Sequence, residues 1–310
     1  MMRFLPMAAA AGLVAAAAVR RGARRAERAS PPLGRFAAVD GVHLHYVDAG
    51  DGPPLVLLHG LGSMIEDFVL SGLVGEAAGR YRVIAVDRPG YGRSTRPRGR
   101  VWDALAQARL LRALLHQLQA HRPIVLGHSW GALVATAFAL EYPATPRSLV
   151  LASGLYFPSV RLDAAFLAPP GLPHVGALLR NTVAPLLGRA LWPAWLRLIF
   201  SPAPVPQRFR DYFPAAMALR HSQLRAVGEE AIMTLPTTTR LARRYGELKL
   251  PIFLVAGERD RYVRTAAHSA RLHRLLPASR LLSSPHAGHM VHHADLPLVL
   301  DAIDAAAWPV

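Results

Sequence analysis

Five short apolar runs punctuate the chain: PLVLLHG at 54–60, RVIAVD at 82–87, PIVLGHS at 123–129, SLVLASG at 148–154 and PIFLVAG at 251–257. None alternates with polar residues, and unbroken apolar runs suit strands that are covered on both faces. Each ends in Gly, Asp or Ser. Between the early runs, WDALAQARLLRALLHQLQ and WGALVATAFALEY carry apolar residues at helical spacing and are long enough to be crossovers. RLLSS at 280–284 is a further strand candidate. Ahead of them, FAAVDGVHLHYVDAG reads as two strands around an Asp40-Gly41 turn, a strong hairpin signal. The pattern predicts an α/β fold, a mostly parallel doubly wound sheet with an antiparallel start. Ligands of such sheets gather at the carboxyl ends of the strands, where the Gly, Asp and Ser endings fall.

One gap is too long for a crossover. From 155 to 247 the chain is rich in Pro, Leu, Phe and Trp before the strand pattern resumes at Pro251. A stretch of that length is not a structureless loop in a compact domain, so it is expected to form its own helices as a cap. The division is then a core of 31–154 and 248–310, a cap insertion of 155–247, and a leading segment of 1–30. Leu167, Pro169, Leu172, Leu178, Trp192, Trp195 and Phe200 are the candidates to line an apolar pocket beneath the cap.

The leading segment changes the picture of where the protein works. Residues 4–19 carry no charge and are followed by RRGARRAER, with SPPLG at 30–34 as a linker-like break. The apolar run is shorter than a spanning helix needs, and arginines directly after it resist export. The expectation is an N-terminal apolar segment and basic linker that meet an anionic membrane surface, with the catalytic domain in the cytoplasm. Export after signal cleavage is the alternative. The formal charge of +16 invites nucleic acid as a partner, yet the arginines are dispersed, Lys249 is the only lysine, and no basic motif with interleaved aromatics occurs. No nucleic-acid partner is expected. With no cysteine in the chain, thiol nucleophiles, disulfides and thiolate zinc sites are excluded.

Chemistry therefore falls to Ser, His, Asp and Glu. Gly127-His128-Ser129-Trp130-Gly131 is a G-x-S-x-G between a strand candidate and a helix candidate. A sharp strand-to-helix turn strains the serine backbone, tolerates no bulk beside it, and leaves the hydroxyl exposed above the sheet. With GHSWG, the segments DGVHLHYVDAGDGPPLVLLHGLG, DRPGYGRS at 87–94, GERD at 257–260 and AGHM at 287–290 follow in an order that resembles the α/β-hydrolase fold family, over residues 35 to about 305.

A serine hydroxyl needs a histidine base, and the base needs a carboxylate to fix its tautomer. The resemblance implies the order Ser, acid, His: nucleophile Ser129, acid Asp260 rather than its neighbour Glu258, and base His289 from a cluster that also offers His286, His292 and His293. It also implies an oxyanion hole made by the amides of Leu61 and Trp130, beside His59-Gly60. No H-E-x-x-H pattern supports a metal. The loop after His59 lacks the third glycine of a dinucleotide fingerprint, because Ile65 stands there. No cofactor or metal is expected. Epoxide hydrolases and haloalkane dehalogenases of this fold attack with an aspartate, which Ser129 argues against.

The expected activity is hydrolysis of a small apolar carboxylic ester through an acyl-enzyme. Carbon–carbon hydrolases of ring-cleavage products, haloperoxidase-like enzymes and peptidases of the same fold remain alternatives. A membrane-tethered binding protein without turnover is the alternative from another class.

Overall fold

The structure, a computed structural model, describes residues 4–159 and 162–308. Eight strands form one sheet: β1 (Arg35–Val39), β2 (Val42–Ala49), β3 (Pro54–Leu58), β4 (Arg82–Val86), β5 (Ile124–His128), β6 (Ser148–Ala152), β7 (Ile252–Gly257) and β8 (Arg280–Ser284). Their order is β1-β2-β4-β3-β5-β6-β7-β8. The β1–β2 and β2–β4 pairings are antiparallel and all others parallel, so the hairpin supplies the antiparallel start.

Helices cover both faces. α1 (Phe4–Ala29) precedes the sheet, and α2 (Ile65–Leu70), α3 (Leu73–Ala78), α4 (Ala104–Gln117) and α5 (Trp130–Glu141) fill the crossovers of the first half. α4 starts where the Asp103 carboxylate accepts a bond from the Ala106 amide at 2.8 Å, capping a free N–H of the first turn. α5 has no polar face, because from Trp130 to Leu140 every residue is buried between the sheet and its neighbouring helices. The strands are equally buried: β5 and β6 have no exposed position, as their unbroken apolar sequences require.

After β6 the chain leaves the sheet for α6 (Leu162–Leu167), α7 (Val175–Asn181), α8 (Ala184–Phe200), α9 (Gln207–Tyr212), α10 (Ala215–Ala218) and α11 (His221–Ala242), and returns at β7. α12 (Ser269–Leu275), α13 (Val291–Ala294) and α14 (Leu296–Ala307) complete the second half. The helical insertion has an apolar cluster of its own, in which Leu196, Phe200, Phe209, Phe213 and Met217 pack against Met64 and Met290 of the sheet's loops.

The basic stretch expected to be a linker is instead the last turns of α1. Ala23 and Ala26 are buried, the Glu27 carboxylate accepts from Arg220 at 2.7 Å, and Arg93 donates to the Glu27 and Ser30 carbonyls. Small alanines on one side and arginines on the other let this end of the helix dock while its charges stay in water. Among the described residues no helix is long and apolar enough to cross a membrane.

Candidate active site

β5 ends at His128, and Ser129 turns the chain into α5 with φ 54° and ψ −116°. A residue with a side chain rarely holds a positive φ, and strain of this kind concentrates at functional sites. The flanking glycines make the turn possible. A Cβ on Gly131 would stand 2.2 Å from the Leu58 carbonyl oxygen, and one on Gly127 would stand 2.5 Å from the Gly131 oxygen.

Three loops at the carboxyl end of the sheet bring the predicted polar groups together. His289, in the loop after β8, places Nε2 at 2.9 Å from Ser129 Oγ and Nδ1 at 2.9 Å from Asp260 Oδ2. Asp260 sits after β7, and its other oxygen accepts the amides of Tyr262 at 2.8 Å and Val263 at 2.7 Å. Those two bonds fix the carboxylate plane, so Oδ2 is aimed at the imidazole. All three side chains are buried. Nδ1–H donates to the carboxylate, which leaves the Nε2 lone pair for the hydroxyl proton.

The competing residues lie elsewhere. Glu258 accepts from Ser283 Oγ at 2.8 Å in an exposed position, and His286 is exposed and 3.6 Å from Asp295. His292 and His293 point away from the serine, their Nε2 atoms at 3.2 and 2.7 Å from Asp67 Oδ1. Burial alone would raise the Asp67 carboxyl, and His292 and His293 outweigh it, holding it well below its ordinary value. Asp67, His128 and His292 bring ligand atoms within 4.8 Å of one another. Asp67 Oδ1 is already engaged by two imidazoles, those of His292 and His293, which makes the group a hydrogen-bonded support behind the loop that carries His289. His128 belongs to it: burial, with His292 and His289 nearby, drives its pKa well below the ordinary value. As a neutral ring its Nε2–H donates to the His289 carbonyl at 3.1 Å, tying the nucleophile strand to the histidine loop.

Leu61 and Trp130 line, with Ser129, a recess of about 20 Å³. Among the described residues neither amide has an acceptor within the protein. The orientation of the Leu61 N–H has an identifiable cause. The Gly60 carbonyl, which shares its peptide unit, lies 2.9 Å from His59 Nδ1 and 3.0 Å from Arg88 Nη2. His59 Nε2 accepts the Arg88 amide at 3.1 Å, so Nδ1 carries the proton. Burial and the Arg88 charge push the His59 pKa down to about 3, keeping that neutral tautomer. In a trans peptide the C=O and N–H point in opposite directions, so pinning the Gly60 oxygen aims the Leu61 N–H the other way.

Arg88 is itself held by the helical insertion. Its Nη1 donates to Glu230 of α11 at 2.7 Å, and Glu230 also accepts from Tyr91 Oη at 2.7 Å and Gln107 Nε2 at 2.8 Å. Arg88, Glu230 and Tyr262 were not evident from motif spacing. Arg88 lies inside DRPGYGRS and Tyr262 two residues after Asp260, but their roles depend on partners distant in the chain. The Tyr262 ring meets His289 edge-on at 4.8 Å, and its hydroxyl donates to Asp163 of α6 at 2.6 Å.

Above the serine is a narrow chamber of about 40 Å³, walled by Trp192, Trp195, Ile199 and Phe213 of the insertion together with Met290. It shares Leu61, Gly62, Trp192 and Trp195 with a cavity of about 610 Å³. Phe166, Leu179, Leu187, Leu191, Leu198 and Val227 lie on the larger wall, and among the described residues no Arg, Lys, Asp or Glu lines either space. Of the residues expected to line a pocket, Leu167, Pro169, Trp192 and Trp195 do. Phe200 is packed in the core of the insertion, and Leu172 and Leu178 are exposed on its outside.

A family model described as alpha/beta hydrolase fold matches residues 53–295. The chain is 31% identical to 2-hydroxymuconate semialdehyde hydrolase of Pseudomonas sp. (strain CF600), over 72% of this chain and 87% of that protein. It is 29% identical to haloalkane dehalogenase 2 of Mycobacterium tuberculosis, over 80% of this chain and 85% of that protein. Among solved structures, the esterase EaEST from Exiguobacterium antarcticum superposes with a TM-score of 0.72 at 19% identity, covering 89% of this chain and 100% of that one. Sheet order, family match and relatives agree, and the chain belongs to the alpha/beta hydrolase fold family and is a hydrolase.

Proposed function

We propose that the protein is a serine hydrolase that cleaves carboxylic esters with apolar acyl or aromatic groups. The observation that carries this reading is the unbroken relay from Ser129 Oγ through His289 to Asp260, with both hydrogen bonds at 2.9 Å, opening onto apolar space. Ser129 Oγ attacks the ester carbonyl while its proton passes to His289 Nε2. Asp260 stabilises the imidazolium, and the amides of Leu61 and Trp130 receive the oxyanion. Collapse of the tetrahedral intermediate expels the alcohol with the proton from His289 and leaves an acyl-serine. Water, deprotonated by the same imidazole, then releases the acid and restores the hydroxyl. None of these steps needs a cofactor.

The helical insertion acts as a cap whose walls sort substrates. Apolar lining favours medium-chain or aromatic esters over charged ones. A carbon–carbon hydrolase is a second reading, favoured by the likeness to the semialdehyde hydrolase. A ring-cleavage product bearing a carboxylate would find no Arg or Lys among the described residues on the walls of the two spaces. The test is a panel of p-nitrophenyl esters of rising acyl length beside a ring-cleavage product, with the parent chain and Ser129→Ala. Ester hydrolysis that disappears in the variant is expected. Full activity in Ser129→Ala overturns the assignment, and turnover of the ring-cleavage product alone favours the second reading.

A further inference from the structure

The cap exposes what a soluble protein ordinarily hides. Among the described residues eighteen large apolar side chains are exposed, and nine of them fall between Phe166 and Leu198, about a tenth of the chain. Scattered exposed apolar residues need no explanation, but a contiguous patch marks a binding surface. Val175 and Leu178 of α7 and Leu186 of α8 are each more than half exposed. Next to them on α8, Leu187, Leu191 and Leu198 line both the patch and the wall of the large cavity, so the cavity opens through this face.

The surrounding charge is predominantly positive. From 164 to 210 the sequence holds five arginines and no acidic residue. Arg189, Arg197, Arg208 and Arg210 are exposed, and α1, which packs against α7, presents Arg20, Arg21, Arg24, Arg25 and Arg28 to solvent. An apolar patch rimmed by guanidinium groups complements a bilayer with anionic headgroups, where cations near the surface add attraction to apolar burial.

We infer that the α7–α8 face of the cap rests on an anionic lipid bilayer, with the cavity mouth against the membrane, and that the substrate is a long-chain acyl ester drawn from the lipid phase. This rests on the esterase reading and specifies its substrate class. An acyl chain passes from the bilayer between Leu187, Leu191 and Leu198, fills the cavity, and brings its ester past Trp192 and Trp195 to Ser129 without crossing water.

The full-length chain is tested on 4-methylumbelliferyl oleate carried in vesicles of phosphatidylcholine, with or without phosphatidylglycerol, and on soluble p-nitrophenyl butyrate. The variants are Leu178→Glu/Leu186→Glu, whose side chains line neither chamber, and Arg189→Glu/Arg197→Glu. The parent should hydrolyse the vesicle ester faster when phosphatidylglycerol is present. The leucine variant should lose about tenfold or more on vesicles with butyrate hydrolysis unchanged, the loss expected when apolar anchors are replaced by charge. The arginine variant should lose the preference for anionic vesicles. Undiminished vesicle hydrolysis by the leucine variant, or equal parental rates on the two vesicle types, overturns the inference while butyrate turnover leaves the esterase reading standing. A parent inactive on every ester overturns that reading, and this inference with it.

Discussion

Replacing Arg88 by methionine separates two jobs that one guanidinium performs. Methionine keeps most of the length and apolar volume but removes bonds to the His59 carbonyl at 2.8 Å, the Gly60 carbonyl at 3.0 Å, Gln107 at 3.0 Å and Glu230 at 2.7 Å. Both members of the Arg88–Glu230 pair are buried, and removing one member of such a pair typically costs about 3–5 kcal/mol. Glu230 keeps Tyr91 and Gln107 as donors, with the Arg96 guanidinium at 3.7 Å, which favours the lower end. Losing the donor to the His59 carbonyl adds about 1 kcal/mol, so a destabilisation of roughly 4 kcal/mol is expected. The Gly60 oxygen retains His59 Nδ1 but loses its cationic partner, and the Leu61 N–H loses part of its aim. A poorly aimed oxyanion donor should lower kcat by about ten- to a hundredfold. Glu230→Gln is the control: it removes the negative charge but leaves Arg88 on the two carbonyls, so stability should fall while kcat stays near the parent's. Urea unfolding at neutral pH gives the first quantity, and kcat for p-nitrophenyl butyrate below the unfolding transition gives the second. A folded Arg88→Met protein with kcat within about twofold of the parent would refute the bracing argument, because the loss of one oxyanion donor costs far more than that.

Gly131→Ala should abolish activity and lower soluble yield, since its Cβ would stand 2.2 Å from the Leu58 carbonyl oxygen; circular dichroism and ester turnover report both. Leu187→Trp, at the cavity wall, should shorten the preferred acyl chain while leaving butyrate hydrolysis unchanged, as a chain-length series would show. Stability should fall in acid. Burial first of all, together with cationic neighbours, lowers the pKa of His59 to about 3 and lowers those of His128 and His292, so below an unfolded value near 6.5 the unfolded chain binds protons that the native state refuses. A histidine that stays neutral in the native state, as His59 does over this range, removes about 1.4 kcal/mol per pH unit. Glu66, raised to about 7 chiefly by burial and then by Asp87, works in the opposite sense between its unfolded value of 4.5 and 7. Between about pH 6 and pH 5 the contributions of His59 and Glu66 roughly offset each other, and the lowered His128 and His292 set the sign, so stability falls as the pH drops through that interval. Urea midpoints that do not move over that interval would contradict it.

The sheet was legible because every parallel strand is an unbroken apolar run, and burial on both faces leaves no room for alternation. Ser129 could be picked out from sequence because it directly follows a strand inside its own G-x-S-x-G turn, whereas Asp260 and His289, three and five residues beyond the ends of their strands, came through the family resemblance. The amide positions at Leu61 and Trp130 came through the family resemblance. What sequence could not show were groups defined by partners far along the chain. Glu230 reads as one more polar residue on a helix, and only the fold puts it against Arg88, 142 residues away. The basic run after Val19 reads as a linker until the insertion supplies Arg220 and a surface for Ala23 and Ala26. Leu178 reads as pocket lining because apolarity alone does not say which side of a cap a helix presents.

The central claim is that Ser129 is an activated nucleophile. Its most direct test is labelling of the purified protein with a fluorophosphonate probe, read by peptide mass spectrometry beside Ser129→Ala. A single adduct on the peptide that contains Ser129, absent from the variant and prevented in His289→Ala, is the expected result. A folded protein that takes no label, or that labels equally without Ser129, would contradict it.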